Sequence, residues 1–423
     1  MRSTLADKLK KKGYSGPSYG YKAPPVSSRY RRLVDAGSSL DEYRKSIIFS
    51  RSNGKERSKK LPDLLLLSVV ALLVVMGLVM VYSSSSFTAL MLYGSDMFLV
   101  KRQFWAALIG MVGLTMAYVI PYRLYQGKYW YFLGTAFVML LAVFTPLGIP
   151  AKSSTGRLFH RSLNFGFMTF QPVEFAKLAL AIYMADFLSR KTPEIRRLSR
   201  GVLPSLFIFL VFFAIIYLQP DLSSAAFLGL VVFTMLFIGG ARVSQIVFFG
   251  LAAGVLLYFA IKNDPYKLHR IKDFTDQLVN FTGNYHIKRS FEAIGRGGIR
   301  GVGFGKGVYK MSFLPMAYTD FIFSVIGEEL GVFGMIGLIV LYMALIWRGI
   351  AIASRASDLF GSMLAIGITC IFAYQILMNI GVALGLFPIT GVTLPFISKG
   401  GSSLMINMIM IGILLNISRE AVR

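Results

Sequence analysis

The sequence predicts an all-α polytopic membrane protein of about ten transmembrane helices, and three observations carry that prediction. Of its 423 residues 55% are hydrophobic and only 15% are charged, too apolar a balance for a water-soluble chain. Long apolar runs recur from about residue 61 to the C-terminus, each near the ~20 residues a helix needs to cross a bilayer. The short loops between the runs carry Lys and Arg on alternate sides, as the positive-inside bias requires.

Residues 1–60 stand apart from the rest. They hold sixteen Lys/Arg against five Asp/Glu, with Gly, Pro, Ser and Tyr interspersed and no sustained apolar period, the composition of a disordered basic tail that lies in the cytoplasm and touches anionic lipid. No cleavable leader is expected, because a charged stretch of this length before the first apolar run is wrong for one. The net charge of +25 does not call for nucleic acid: in a membrane protein, basic residues first report topology and contact with lipid or phosphate. The single Cys370 lies inside an apolar run, so neither a disulfide framework nor a cysteine metal site is expected.

Ten apolar segments centre near 61–83, 103–120, 129–148, 172–189, 203–218, 223–240, 244–261, 322–347, 359–386 and 401–417. Arg123 and Lys128, then Arg190 to Arg200, then Arg242, then Arg348 and Arg355 fall on the side of the tail, which makes both termini cytoplasmic. The even number of spans agrees. Between spans seven and eight, residues 262–320 form a long outer loop with ten Lys/Arg against five Asp/Glu. Long loops escape the positive-inside bias, so this excess points instead to an anionic ligand at the outer surface.

Within that loop "AIGRGGIRGVGFGKGVYK", Ala293 to Lys310, sets seven glycines among Arg296, Arg300, Lys306 and Lys310. Glycines let backbone N–H groups approach a ligand closely and the cations complement phosphate; a flexible turn with solvated charges fits the same composition. It is not a Walker A loop, since Gly307 follows Lys306 where Ser or Thr is required. Next comes "LPMAYTDFIFSVIGEELG", with Asp320, Glu328 and Glu329 around an apolar run. Asp320 suits a helix N-cap, a role Thr319 could share. The glutamates lie about 12 Å further along a continuous helix, beyond the separation of a two-carboxylate hydrolytic pair, and are candidates for buried ion pairs with basic residues of neighbouring helices.

Elsewhere, "FQPVEFAKLAL" places Glu174 and Lys177 three apart on one helical face, most simply as an internal ion pair. "YLQPDLSSA" puts Gln219, Pro220 and Asp221 in a short outer turn. "LFPITGVTLPFISKGGSS", with Lys399, can re-enter between helices only where its backbone polar groups are satisfied. His160, His269 and His286 show no ligand spacing, so no structural metal site is expected.

Together "FLVKRQFWAALIG", "FQPVEFAK", "QPDLSSA", "PYKLHRI", "LPMAYTDFIFSVIGEELG" and "TGVTLPFISKGGSSL" resemble the FtsW/RodA/SpoVE (SEDS) family, from about residue 61 to Glu420. The resemblance implies a ten-span peptidoglycan glycosyltransferase of the bacterial cytoplasmic membrane. Such an enzyme polymerises lipid II, with lipid II as donor and the growing glycan as acceptor, beside a class B penicillin-binding protein and other divisome or elongasome proteins. It also implies that Asp320, the Asp of "TDFIF", is the catalytic carboxylate. Lipid II brings a diphosphate leaving group, so the reaction needs a base for the acceptor hydroxyl and stabilisation of the departing charge. Arg270, Arg296, Arg300, Lys306, Lys310 and Lys399 are the candidate substrate-binding cations, with a divalent cation, magnesium or manganese, as a further stabiliser. The chain departs from the family pattern at Val173 for the Ser of "QPSE", Tyr318 for the His of "HTD", Lys399 for the aromatic of "SYGG", and "TGRLF", with Arg157, for "GARRW". "VMVYSSSS" and "VKRQ" resemble the division branch, whereas "PITG", with Thr390 in place of Lys, resembles elongation or sporulation members. A lipid II flippase and a non-catalytic scaffold are the alternatives: the first should set its charges near the bilayer midplane, and the second would not need Asp320.

Overall fold

The computed structural model describes residues 62–421, apart from 153–157, 167–168, 192–193, 263–267, 269–270, 273, 277–284 and 315. The basic tail therefore lies outside the described residues, as do Arg157, His269 and Arg270.

Each of the ten apolar segments coincides with a helix. They are α1 (Leu64–Tyr93), α2 (Phe98–Val119), α3 (Tyr129–Ala142), α4 (Pro172–Lys191), α5 (Leu203–Leu218), α6 (Leu222–Ile238) and α7 (Val243–Lys262), then α10 (Ile322–Arg355), α11 (Leu359–Ala383) and α12 (Gly401–Arg419). Among the described residues five helices are long and apolar enough to cross a membrane on length and composition alone, at 64–93, 198–218, 322–355, 359–383 and 401–419. The remaining helices are shorter or carry polar residues inward. The ends are set by local chemistry. Asp63 caps α1 by accepting from the Leu66 N–H at 3.0 Å, Asp221 caps α6 through Ser224, and Asp358 caps α11 through the Gly361 N–H at 2.7 Å, each supplying an acceptor to an otherwise orphaned donor.

The first and last spans end on one face of the bundle, as an even number of crossings requires. There Asp63 meets Ser418 and pairs with Arg348. On the same face Arg123 bridges Asp358 at 3.1 Å and Glu420 at 3.3 Å, while the Tyr122 hydroxyl donates to Asp358.

Three features of the opposite face depart from the sequence reading. The chain between α3 and α4 folds as a small antiparallel sheet, β1 (Gly148–Lys152), β2 (Leu158–Asn164) and β3 (Thr169–Phe170). The long outer loop is partly helical, with α8 (Tyr285–Gly297) and the single turn α9 (Tyr309–Ser312). Helix α8 buries Ile287, Ser290, Ala293 and Gly297, and Ser290 donates to the Ala383 carbonyl at 2.6 Å. Finally, α10 is not continuous: Gly331 has φ 67° and ψ −163°, a conformation that glycine adopts at little cost. Before it, Phe321–Glu329 is buried throughout; after it, Phe333, Ile336, Val340 and Met343 face outward.

The segment between α11 and α12 does re-enter the bundle. Leu394 to Ser398 are buried, and side chains of other helices satisfy the backbone there. The Tyr342 hydroxyl donates to the Pro395 carbonyl at 2.7 Å, Asn379 to Val392 at 2.9 Å, and Gln103 to Ser398 at 3.3 Å. Gly77, midway along α1, makes room for it: a Cβ there would lie 2.1 Å from the Phe396 carbonyl oxygen.

Candidate active site

Asp320 sits, half-buried, in the turn that leads into α10. The helix N-cap is Phe321, with no side-chain capping bond, and the Thr319 hydroxyl turns back to the Met316 carbonyl. The N-cap position thus falls one residue beyond Asp320 and two beyond Thr319. The N–H groups of Thr319, Asp320 and Phe321 converge on the Met316 carbonyl at 3.0, 3.2 and 3.4 Å, closing a tight turn.

That turn is held against the re-entrant segment. Ser398 donates through its hydroxyl to the Thr319 carbonyl at 2.6 Å, and the Lys399 N–H donates to the Tyr318 carbonyl at 2.9 Å. Asn379 donates to the backbone carbonyls of both Asp320 and Val392, at 3.2 and 2.9 Å. Met316 and Phe396, one on each segment, have φ of 58° and 64°, left-handed values rare outside glycine and typical of backbone whose surroundings over-determine it. The Lys399 ammonium lies 5.7 Å from the centre of the Tyr318 ring. Burial first, and then the nearby charge of Arg102, hold that ammonium below its ordinary lysine value; burial and then Tyr93 push the Tyr318 phenol up.

The glycine-rich loop does other work. Glu328 and Glu329 are almost wholly buried at the C-terminal end of the first half of α10, where both the helix dipole and desolvation disfavour a carboxylate. The loop compensates for both. Glu328 accepts from the Val308 N–H at 2.8 Å and pairs with Arg296 at 3.3 Å. Glu329 accepts from Ser83 at 2.7 Å, from the Gly305 N–H at 3.1 Å and from Lys310 at 2.5 Å. Gly307 lets the chain pass between the carboxylates, since a Cβ there would come within 3.0 Å of an oxygen of each. The expected buried ion pairs are therefore present, with partners from the outer loop rather than from neighbouring spans.

This sorts the candidate cations. Lys310 is buried and its ammonium is bound by Glu329, Ser83 and the Gly305 carbonyl, so the structure does not place it as an open ligand contact. Arg296 is partly exposed and shared with Glu328. Arg300 and Lys306 are exposed and, among the described residues, form no ion pair. Among the described candidates Lys399 alone adjoins the Asp320 turn directly. Sequence reasoning missed Asn379 and Arg102; an amide inside the apolar run "YQILMNIG" was the available signal for the first.

Among the described residues no three His, Cys, Asp or Glu side chains gather as a metal site. Glu174 and Lys177 form the expected pair at 2.8 Å, buried inside the bundle, with the ammonium 4.9 Å from the Phe227 ring centre.

Ten apolar helices, with a carboxylate-bearing turn held against a re-entrant segment, define a multi-pass membrane protein with a polar site on one face. The family model for FtsW/RodA/SpoVE, described as a cell cycle protein, matches residues 63–423. The chain is 37% identical to stage V sporulation protein E of Bacillus subtilis over 85% of its length and 98% of that protein's. It is 40% identical to a probable peptidoglycan glycosyltransferase FtsW of Trichlorobacter lovleyi, over 84% and 93%. Among solved structures it superposes on a chain of a peptidoglycan synthase complex with TM-score 0.69 at 28% identity, covering 85% of this chain and 98% of that one. It also superposes on the rod shape determining protein RodA of Thermus thermophilus with TM-score 0.63 at 27% identity, covering 86% and 98%. The chain belongs to the FtsW/RodA/SpoVE family.

Proposed function

We propose that this protein is a peptidoglycan glycosyltransferase that polymerises lipid II at the outer face of the bacterial cytoplasmic membrane, with both termini in the cytoplasm. The observation that carries the reading is the setting of Asp320: a half-buried carboxylate just before the α10 N-cap residue Phe321, in a turn fixed by Asn379 and Ser398 beside the Lys399 cation. In the proposed step Asp320 takes the proton of the acceptor sugar hydroxyl. The resulting oxygen attacks the anomeric carbon, the bond to the diphosphate breaks, and the diphosphate leaves with the electron pair. Fixed cations stabilise that leaving charge without reorganising.

The relatives named as FtsW glycosyltransferases and the likeness to a synthase-complex chain support this reading. They also support a class B penicillin-binding protein as partner and a role in septal or elongating wall synthesis, with the division branch favoured by "VMVYSSSS" and "VKRQ". The test is glycan-chain formation by the purified protein from lipid II, alone and with its partner, comparing wild type with Asp320→Asn. Chains from the wild type and none from the variant are expected; equal yields would remove the enzyme reading.

A further inference from the structure

Helix α8 of the outer loop runs alongside the first half of α10, and successive turns of the two helices touch. His286 lies against Phe321, with ring centroids 6.0 Å apart and planes 9° from parallel. One turn further on, the hydroxyls of Ser290 and Ser324 meet at 2.5 Å. Beyond them a Cβ at Gly327 would come 3.0 Å from Ile294 Cγ1, and at the end of α8 a Cβ at Gly297 would lie 1.9 Å from the Gly327 carbonyl oxygen. The contact thus extends from the residue after Asp320 to the buried glutamates.

The far end of this pair is anchored by the ion pairs of Arg296 and Lys310 with Glu328 and Glu329. Along its length α8 is also fixed to the end of α11. Ser290 donates to the Ala383 carbonyl at 2.6 Å, and a Cβ at Gly385 would come 3.0 Å from the Phe291 ring and 3.1 Å from Ile287. The near end rests on His286. Tyr285 meets the imidazole edge-on at 6.0 Å, and Phe321 is 1% exposed beneath it. Burial holds the imidazole below its ordinary histidine value, so at neutral pH it stacks as an uncharged flat ring. Phe321 is the N-cap residue of α10, and its N–H shares the Met316 carbonyl with that of Asp320. A shift of Phe321 therefore moves Asp320.

We propose that His286 is a positioning residue for the Asp320 carboxylate: its ring, carried on α8 and braced by Tyr285, seats Phe321 and so fixes the turn that aims Asp320 at the acceptor hydroxyl. This rests on the glycosyltransferase reading and deepens it, giving the outer-loop helix the task of orienting the base. His286 acts through Phe321 and touches no reacting atom. A displacement of about 1 Å at a reacting group costs up to about 10²-fold in rate, so the loss of one stacking contact is enough to register in turnover.

The test compares His286→Ala, His286→Leu and His286→Phe in the full-length protein by two readouts. Backbone hydrogen exchange over residues 316–322 needs no turnover. It should quicken at least about tenfold in the Ala and Leu variants and stay near wild type in the Phe variant, which keeps a flat ring for the stack. In lipid II polymerisation the Ala and Leu variants should lower kcat at least about tenfold with KM within about twofold, and the Phe variant should restore kcat. Lys288→Ala, at an exposed position of the same helix, should change neither readout. Unaltered exchange in the Ala variant, or a Leu variant as good as Phe, would overturn the seat given to the ring. Faster exchange with kcat unchanged would overturn the positioning role. Should the Ala variant misfold, the contrast of Leu with Phe decides. A wild type that makes no glycan would remove the glycosyltransferase reading, while the exchange comparison would still show whether His286 holds the turn.

Discussion

Lys310 reaches out of the glycine-rich loop to place its ammonium 2.5 Å from a carboxylate oxygen of Glu329, with both side chains almost completely removed from solvent. Ser83 of α1 bonds both groups, so one buried cluster ties the outer loop, the first half of α10 and the first span together. Removing one partner leaves an uncompensated charge at low dielectric. Lys310→Met or Glu329→Gln should therefore lower stability by about 3–5 kcal/mol, read as a fall in the thermal unfolding midpoint in detergent. The double variant should recover much of that loss. Singles that unfold like wild type would show the cluster to be solvated.

Gly77→Ala should strain the protein through a contact remote from any charge. The added methyl would sit 2.1 Å from the Phe396 carbonyl, and overpacking of this kind costs about 1–3 kcal/mol. The re-entrant segment carries Ser398 and Lys399, so faster backbone hydrogen exchange over residues 392–400 should accompany a fall in glycan synthesis. Unaltered exchange would mean that α1 yields instead.

The depressed ionisation of Lys399 makes opposite predictions for binding and stability as pH rises. The folded state gives up this proton at lower pH than the unfolded chain. Between the two values the unfolded chain binds more protons, and the stability contribution rises with pH. Anion binding needs the charged ammonium, so diphosphate affinity falls across the same window. The Tyr318 ring faces this ammonium at 5.7 Å. Lys399→Arg, which stays charged, should abolish both trends; an unchanged alkaline limb of the binding curve in that variant would assign the titration to another group.

The spans were legible because each needs only length and apolarity, and all ten fall on the helices found. Orientation within a helix was not legible. The break at Gly331 depends on the loop's backbone meeting α10: Val302 and Gly303 donate to the carbonyls of Glu328 and Glu329 at 2.9 and 3.0 Å, contacts no local pattern announces. The glycine-rich loop read as a phosphate cradle because glycines and cations suit that use, yet the same composition suits closure around buried carboxylates, and only tertiary packing separates the two. Asp320 stood out as a polar residue at the mouth of an apolar run. The partners of its turn, Asn379, Ser398 and Lys399, come from segments about 60 to 80 residues away, beyond the reach of periodicity.

The glycosyltransferase account stands or falls most directly on Asp320→Asn. The change keeps the side chain's size and removes the proton acceptor, and Asp320 lies outside the N-cap position of α10, so folding should persist. Lipid II turnover by the purified variant should then fall at least about 10²-fold with an unfolding midpoint close to wild type. Turnover within a few-fold of wild type would contradict the assignment of Asp320 as the base.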